Sequence, residues 1–496
     1  MKRLYIVISL VMVMGMVLSA CATPTAETII QTVEVPVVQT QVVKETQVVI
    51  ETVEVAAPTE AVQPTEAPAP TPVPYVFGKI VGSPGGFLER ALAGEFKGKI
   101  VVVDGTQTNP DDLKMAAGWQ AFQDATGIIV HYVGDKQFEA RISISVDAGQ
   151  APDIADFPQP GKVATFVSQG KIVDVSTFIP ADWLTKQYNQ SWLDMATMQS
   201  PTGPIMAGVW NRTSVKSLVW YPKAMFDAAG YKIPTTWDEM LALSDQIVAD
   251  GDTPWCIGIE SGAATGWPAT DWMEDVMLRT TSPENYDKWV AGTLKFDSPE
   301  VKNAAEIIGN IWFKDGYVYG GKDGIVSTFF GTSPTGLFTD PPQCWLHRQA
   351  NFITGFFPAS AKPGVDFDFF YLPPIDPQYG KPVLTAGDIY VMFNDRPEVR
   401  ALEEYFTLAQ SVSGFLTQGG AFAVQTDAKP EMYAIPQDAA IAKVLADATT
   451  FRFDGSDLMP GEVGGGSFWK GMTDWVSGAA DLDTVLKEID ASWPTK

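Results

Sequence analysis

The chain has 496 residues, too many for one hydrophobic core, because cores stop growing at roughly 250 to 300 residues; two lobes are expected. Hydrophobic residues at 46% and charged residues at 19% place it among ordinary globular chains, and a formal net charge of -25 gives a surface that repels phosphate backbones and excludes nucleic acid as a partner. Three cysteines without paired spacing and two distant histidines exclude a disulfide scaffold, a structural zinc site and a histidine-rich metal centre, while an all-carboxylate calcium site stays open.

Met1-Lys2-Arg3 supplies a positive start, and Leu4 to Val17 is an apolar run too short for a comfortable membrane span. Residues 1–20 therefore read as a cleaved signal peptide. The run ends at Leu18-Ser19-Ala20-Cys21, which resembles the lipobox of bacterial lipoproteins. That resemblance implies that Cys21 becomes the N-terminal residue and carries acyl chains holding the protein at the outer face of the membrane. An accidental or buried cysteine behind an ordinary signal peptide is the alternative. Residues 21–74 then turn to Thr, Val, Glu, Gln and Pro in loose repeats, a composition that cannot bury enough apolar area to fold and reads as a disordered tether. Its valine-rich half leaves a short strand or helix open. Fully extended at roughly 3.1 Å per residue, such a spacer reaches about 150 Å. Residues 75–97 form a lead-in to the body.

The body alternates strand and helix signals. Lys99 to Thr106 is a short apolar run ending in turn residues, as for a buried parallel strand with a functional loop at its carboxyl end. Asp111 to Thr126 has helical spacing at Leu113, Ala116, Ala117, Ala121 and Phe122, and Gly127 stops it before the apolar run Ile128 to Val133. A helix over Phe138 to Ala148 and a strand over Ala151 to Phe157 follow. Open parallel sheets place ligand loops at the carboxyl ends of strands, so the loops at Asp104–Thr106 and Asp156–Gln159 should face one crevice. Thr236 and Glu239 form a capping-box signature, and further amphipathic helices fit Ser298–Phe313, Pro397–Ser411, Ala439–Ala448 and Ser467–Val476. The class is α/β.

Several separated segments carry a resemblance to the family 1 extracellular solute-binding proteins, nearest their alpha-glucoside-binding branch. Lys99 to Gly105, Phe122-Gln-Asp-Ala-Thr-Gly127-Ile and Gly149-Gln-Ala-Pro152-Asp153-Ile154 are similar to the family's opening segments. Ser217 to Glu239 is similar to its most distinctive stretch, except that Pro222 stands where most members carry Asn. Gly464 to Trp469, Trp475, Gly478 and the helix reaching Trp493 are similar to its closing segment. The resemblance covers roughly residues 98 to 496. It implies a two-lobed periplasmic-binding-protein-like fold with a hinge and an interlobe ligand cleft: lobe 1 from 98–213 plus 385–435, lobe 2 from 214–384 plus 436–496. It also implies a monomer without cofactor or catalysis, capturing an oligosaccharide and delivering it to ABC permease subunits driven by a cytoplasmic ATPase.

A sugar ring has apolar faces and a fringe of hydroxyls, so its receptor needs aromatic platforms flanked by carboxylates, amides and Arg. Among 15 tryptophans, Trp469 and Trp267 lie beside polar groups in Gly-rich surroundings, and the resemblance puts both at the cleft, with Asp271 next to Trp267. A core tryptophan on an amphipathic helix is the competing reading. Asp156 and Gln159 occupy a strand-end loop where the family has ligand-binding polar residues. Thr106, Asp104, Glu260, Arg212, Trp345 and Asp388 complete the candidates, with Gly387-Asp388 alternatively in the hinge. Cys256 and Cys344 are expected to pair in an oxidising location, two free buried thiols being the alternative. The rival functions are a secreted glycoside hydrolase, with two carboxylates in an aromatic cleft, and a stalked carbohydrate adhesin.

Overall fold

The protein is described here by a computed structural model covering residues 75–494. The segments read as a signal peptide and a tether, with Cys21 between them, lie outside the described residues. No helix among the described residues is long and apolar enough to cross a membrane.

The strands in chain order are β1 (Ile100–Gly105), β2 (Ile129–Gly134), β3 (Ile154–Phe157), the hairpin β4 (Thr197–Ser200) and β5 (Gly203–Met206), β6 (Val209–Val215), β7 (Leu218–Tyr221), β8 (His347–Arg348), β9 (Asp368–Tyr371), β10 (Pro382–Met392), β11 (Phe422–Ala423) and β12 (Thr450–Phe453). One lobe is built on a seven-stranded mixed sheet in the order β11-β6-β10-β3-β1-β2, with β12 on β10. Here β1 is parallel to β2 and β3, so their carboxyl ends share one edge. The other lobe holds a three-stranded sheet, β8-β7-β9, under a helical layer.

Local physics accounts for the elements. In β1, Val101 and Val103 alternate inward and are fully buried, whereas Ile100 points out. The helix Asp111–Thr126 ends where Gly127 takes the left-handed conformation at φ 70°, as its sequence requires. Its buried face corrects the sequence reading: Met115, Trp119 and Phe122 point to the core, while Leu113 is 59% exposed and Ala116 and Ala117 face outward. The larger rings win the inward stripe, and Gly118 sits where a Cβ would lie 2.3 Å from the Ser411 carbonyl oxygen. The capping box forms, with the Glu239 N–H donating to Thr236 Oγ1 at 3.2 Å and the Thr236 N–H donating to Glu239 Oε2 at 3.2 Å.

One core packs β1, β3, β10 and the helices Asp111–Thr126 and Pro397–Phe406. The lead-in belongs to it, since Ile80, Leu88, Ala91 and Phe96 are buried there. Glu404 accepts the first-turn N–H groups of Phe87 and Leu88 at 2.9 and 2.8 Å, capping the helix Phe87–Leu92. The second core packs Trp237, Trp255, Trp272 and Trp312 around the helix Trp267–Thr280. A smaller third cluster gathers around the disulfide Cys256–Cys344, whose Cα atoms are 5.4 Å apart. The chain passes between lobes through Lys216–Ser217 from β6 to β7, along β10, and through Asp454 from β12 into the helix Gly455–Leu458.

Candidate functional site

Between the lobes lies a cavity of about 170 Å³. The parallel strands deliver its first wall. Thr106 follows β1, and Gln159 follows β3 as the residue before the helix Pro160–Ser168. Arg212 and Asp388 face each other across β6 and β10 at the bulge in that pairing. The second wall is aromatic: Trp267 and Trp469 each open a helix, and Phe329, Phe330 and Phe352 complete it. Trp469 is 3% exposed, and its Nε1–H donates to Ser456 Oγ at 3.3 Å. Trp267 meets Phe330 edge to face at 5.0 Å, which fixes the ring as a platform.

Six sequence candidates therefore line one cavity: Thr106, Gln159, Arg212, Asp388, Trp267 and Trp469. Asp156 and Asp271 do not reach it. Asp156 is fully buried behind Arg212, whose Nη2 lies 2.9 Å from Asp156 Oδ2 and 3.0 Å from Asp388 Oδ1. Asp271 is fully buried behind Lys216, whose Nζ lies 2.7 Å from Asp271 Oδ1 and 2.5 Å from Asp454 Oδ2. Burial pushes both aspartates up to about 7 against the pull of their cations. For Lys216 burial acts downward, but Asp271 and Asp454 outweigh it and raise its pKa. Asp104 likewise holds the Arg141 guanidinium, at 2.6 and 2.7 Å.

Glu260 is also off the wall: its Oε1 accepts the Gly262 N–H at 2.6 Å and shapes the turn that presents Ser261 to the cavity. Trp345 lies in the second core, stacked edge-on against Tyr231 at 5.0 Å with its Nε1–H on Asp252 Oδ2 at 3.2 Å. It is a structural tryptophan, because its ring is consumed by core contacts and its N–H by a carboxylate at the lobe's periphery. Gly387 and Asp388 lie within crossing strand β10 as well as on the wall, so the hinge and ligand readings of that pair coincide.

Sequence reasoning missed Lys216, Asp454, Asp457 and the Phe329-Phe330 pair. A lysine after a strand reads as solvated, and nothing local shows that it is enclosed by carboxylates far along the chain. The adjacent phenylalanines were a usable signal, since alternating sides of an extended segment would expose one of them. Asp271, Glu274 and Asp454 bring buried oxygens within 4.8 Å of one another, a cation-ligand spacing. The cation in place there is the Lys216 ammonium, and burial raises the Glu274 pKa well above the usual range.

Residues 105–414 match the family model described as bacterial extracellular solute-binding protein. The chain is 46% identical over 396 residues, covering 80% of it and 93% of the relative, to the osmoprotective compounds-binding protein GgtB of Synechocystis sp.. It is 39% identical over 406 residues, covering 80% of it and 88% of the relative, to the alpha-glucosides-binding periplasmic protein AglE of Rhizobium meliloti. The solved structure of the bacterial solute receptor AcbH matches with a TM-score of 0.67 at 16% identity, over 79% of this chain and 98% of that one, a likeness of fold.

Proposed function

The chain belongs to the family of bacterial extracellular solute-binding proteins, and from that premise we propose that it captures an alpha-glucoside or related oligosaccharide by lobe closure and delivers it to the permease of an ABC importer. The observation carrying this reading is the division of labour across the cavity. Aromatic platforms come from one lobe, and hydrogen-bonding Thr106, Gln159 and Asp388 come from the other. A hydroxylated ring with an apolar face meets both requirements only when the lobes are together, so its binding free energy favours the closed form. The similarity to the alpha-glucosides-binding protein AglE supports the sugar class. The partners in this reading are permease subunits with a cytoplasmic ATPase, and lipid on Cys21 holds the monomeric receptor to the membrane.

Hydrolysis fits the wall less well. A glycosidase needs two carboxyl groups free to act on the glycosidic oxygen and the anomeric carbon. Here Asp388 is held by Arg212, Asp454 by Lys216, Asp111 by Lys114 and Glu139 by Lys162, which leaves Asp457 alone among the carboxyl groups of the lining where a pair is needed. Calorimetric titration of the purified protein with maltose, trehalose, sucrose, maltotriose and glucose, with products monitored, tests the reading. One-to-one binding without turnover is expected, weakened about tenfold or more by Trp469→Ala. Released monosaccharide, or no heat with any of these sugars, overturns it.

A further inference from the structure

Where the crossings at Lys216 and Asp454 meet the helix Trp267–Thr280, buried carboxyl groups outnumber buried cations. Asp271, Glu274, Asp275, Asp454 and Asp457 stand against Lys216, Arg279 and Arg348, all of them buried. Three of the carboxyl groups take the cations. Asp275 holds Arg279 and Arg348, while Asp271 and Asp454 share Lys216 at 2.7 and 2.5 Å. Glu274 and Asp457 are left over. Glu274 accepts the Ser456 N–H at 2.9 Å through Oε1, and its Oε2 meets no partner. Asp457 donates its backbone N–H to Asp454 Oδ1 at 2.9 Å, but among the described residues its carboxyl oxygens have neither a hydrogen-bond partner nor a paired cation.

These two acids differ in place. Glu274 lies on a helix inside the second lobe, away from the cavity, whereas Asp457 lines the main cavity. Its helix, Gly455–Leu458, packs against the helix Pro160–Ser168 of the first lobe, and that lobe sets Glu139 in the same lining. Glu139 Oε2 is held by Lys162 Nζ at 2.9 Å, and its Oε1 is buried without a partner. Asp454 and Asp271 from its own lobe and Glu139 from the other thus set negative charge around Asp457, with Lys216 opposing them. The helix Pro283–Val290 contributes Tyr286, whose hydroxyl donates to the Phe453 carbonyl at 3.0 Å, and the segment Val463–Phe468 contributes no charged group.

A cationic ligand does not fit as the missing counter-charge. Lys136, Arg212 and Lys216 already lie 3.5, 5.0 and 5.4 Å from the ring centres of Phe329, Phe415 and Trp267 in the same lining. A proton fits. In this closed form burial, ahead of the neighbouring Asp454, raises the Asp457 pKa well above the usual range. With the first lobe withdrawn the carboxyl group faces water, and its pKa moves back toward the ordinary value of about 4.

We propose that Asp457 is a proton-operated element of lobe closure, neutral in the closed receptor and ionised in the open one, so that ligand capture takes up a proton and weakens as the pH rises. The proposal rests on the reading that ligand binding closes the lobes. By linkage, a group whose pKa is higher in the closed form favours closure fully at pH below its open-state value. That advantage is lost as the pH rises through the closed-state value, by up to about tenfold in affinity per unit.

Calorimetric titration with maltose, trehalose, sucrose and maltotriose between pH 5 and 8, each in two buffers of different ionisation enthalpy, counts the protons taken up with whichever sugar binds. Wild type should take up roughly half to one proton per sugar within that range, and its affinity should fall about three- to tenfold per unit of rising pH there. Asp457→Asn, of the same size and permanently neutral, should take up fewer protons by about half or more and lose that slope. Asp457→Ser replaces it if thermal melting shows that protein unfolded. A wild type that binds sugar without proton uptake, or a variant that takes up as many protons as wild type, overturns the proposal and leaves the sugar-binding reading standing. Silence toward every sugar overturns both.

Discussion

Arg212 and Lys216 are each enclosed by two carboxylates, Arg212 by Asp156 and Asp388, Lys216 by Asp271 and Asp454. This explains what could be read at the residue scale and what could not. Asp156 and Asp271 look like ligand residues in sequence because carboxylates beside aromatics suit a sugar; their actual partners lie 56 and 55 positions away. Trp469 and Trp267 were legible because the segments around them carry family motifs, whereas Trp345 had only its residue type to recommend it. A different buried acid gives a sharper prediction. Glu403 is fully buried, and among the described residues its carboxyl oxygens have neither a hydrogen-bond partner nor a paired cation; burial raises its pKa well above the usual range. Its folded pKa exceeds the unfolded value, so the folded state holds the extra proton, and stability falls as pH rises above about 4 to 5. Glu403→Gln should therefore be nearly neutral at pH 5 and increasingly stabilising as the pH is raised from there toward neutral, by up to about 1.4 kcal/mol per pH unit. Urea melts of both proteins across that range check it, and a gap that does not widen with pH contradicts it.

At the scale of elements, the helices and strands read from the sequence lie within a few residues of observed ones, because their ends are written locally, while β4 to β12 and many of the helices were not read. Gly127 closes one helix in the left-handed conformation, and Thr236 with Glu239 opens another. The inward faces were less legible, as the helix Asp111–Thr126 shows, because the partner carbonyl at Ser411 is distant in sequence. The disulfide acts at this scale. Cys256 and Cys344 are 88 residues apart and clip the segment entering the aromatic wall to the strand-like run before β8. The neighbouring His347 is kept neutral, its pKa pushed down to about 4 by burial, with Nδ1–H donating to the Cys256 carbonyl at 2.8 Å. Closing a loop of that length stabilises by about 4 to 5 kcal/mol in the chain-entropy model. The double substitution Cys256→Ser, Cys344→Ser should lower the unfolding free energy by about that much in guanidinium melts, and a loss below about 1 kcal/mol would mean the folded packing alone sets the loop.

For the whole molecule, two lobes joined by three crossings were expected from length and family likeness, but how closely they meet is a tertiary fact. At the mouth, the Ala263 N–H donates to the Lys136 carbonyl at 3.3 Å, and Lys136 Nζ sits 3.5 Å from the Phe329 ring centre. These contacts join residues of opposite lobes, so the structure is a closed form. Small-angle scattering should show the radius of gyration decreasing as a bound sugar is titrated in, toward the value of this structure. An unchanged radius would mean that binding does not select closure. Deeper in, a hypothetical Cβ on Gly161 would lie 1.8 Å from the Met459 carbonyl oxygen of the facing lobe. At that point the lobes meet as bare main chain against bare main chain, with no side chain to yield as a cushion. A tolerance narrower than one methyl group there is a hard stop on how far the two lobes can approach.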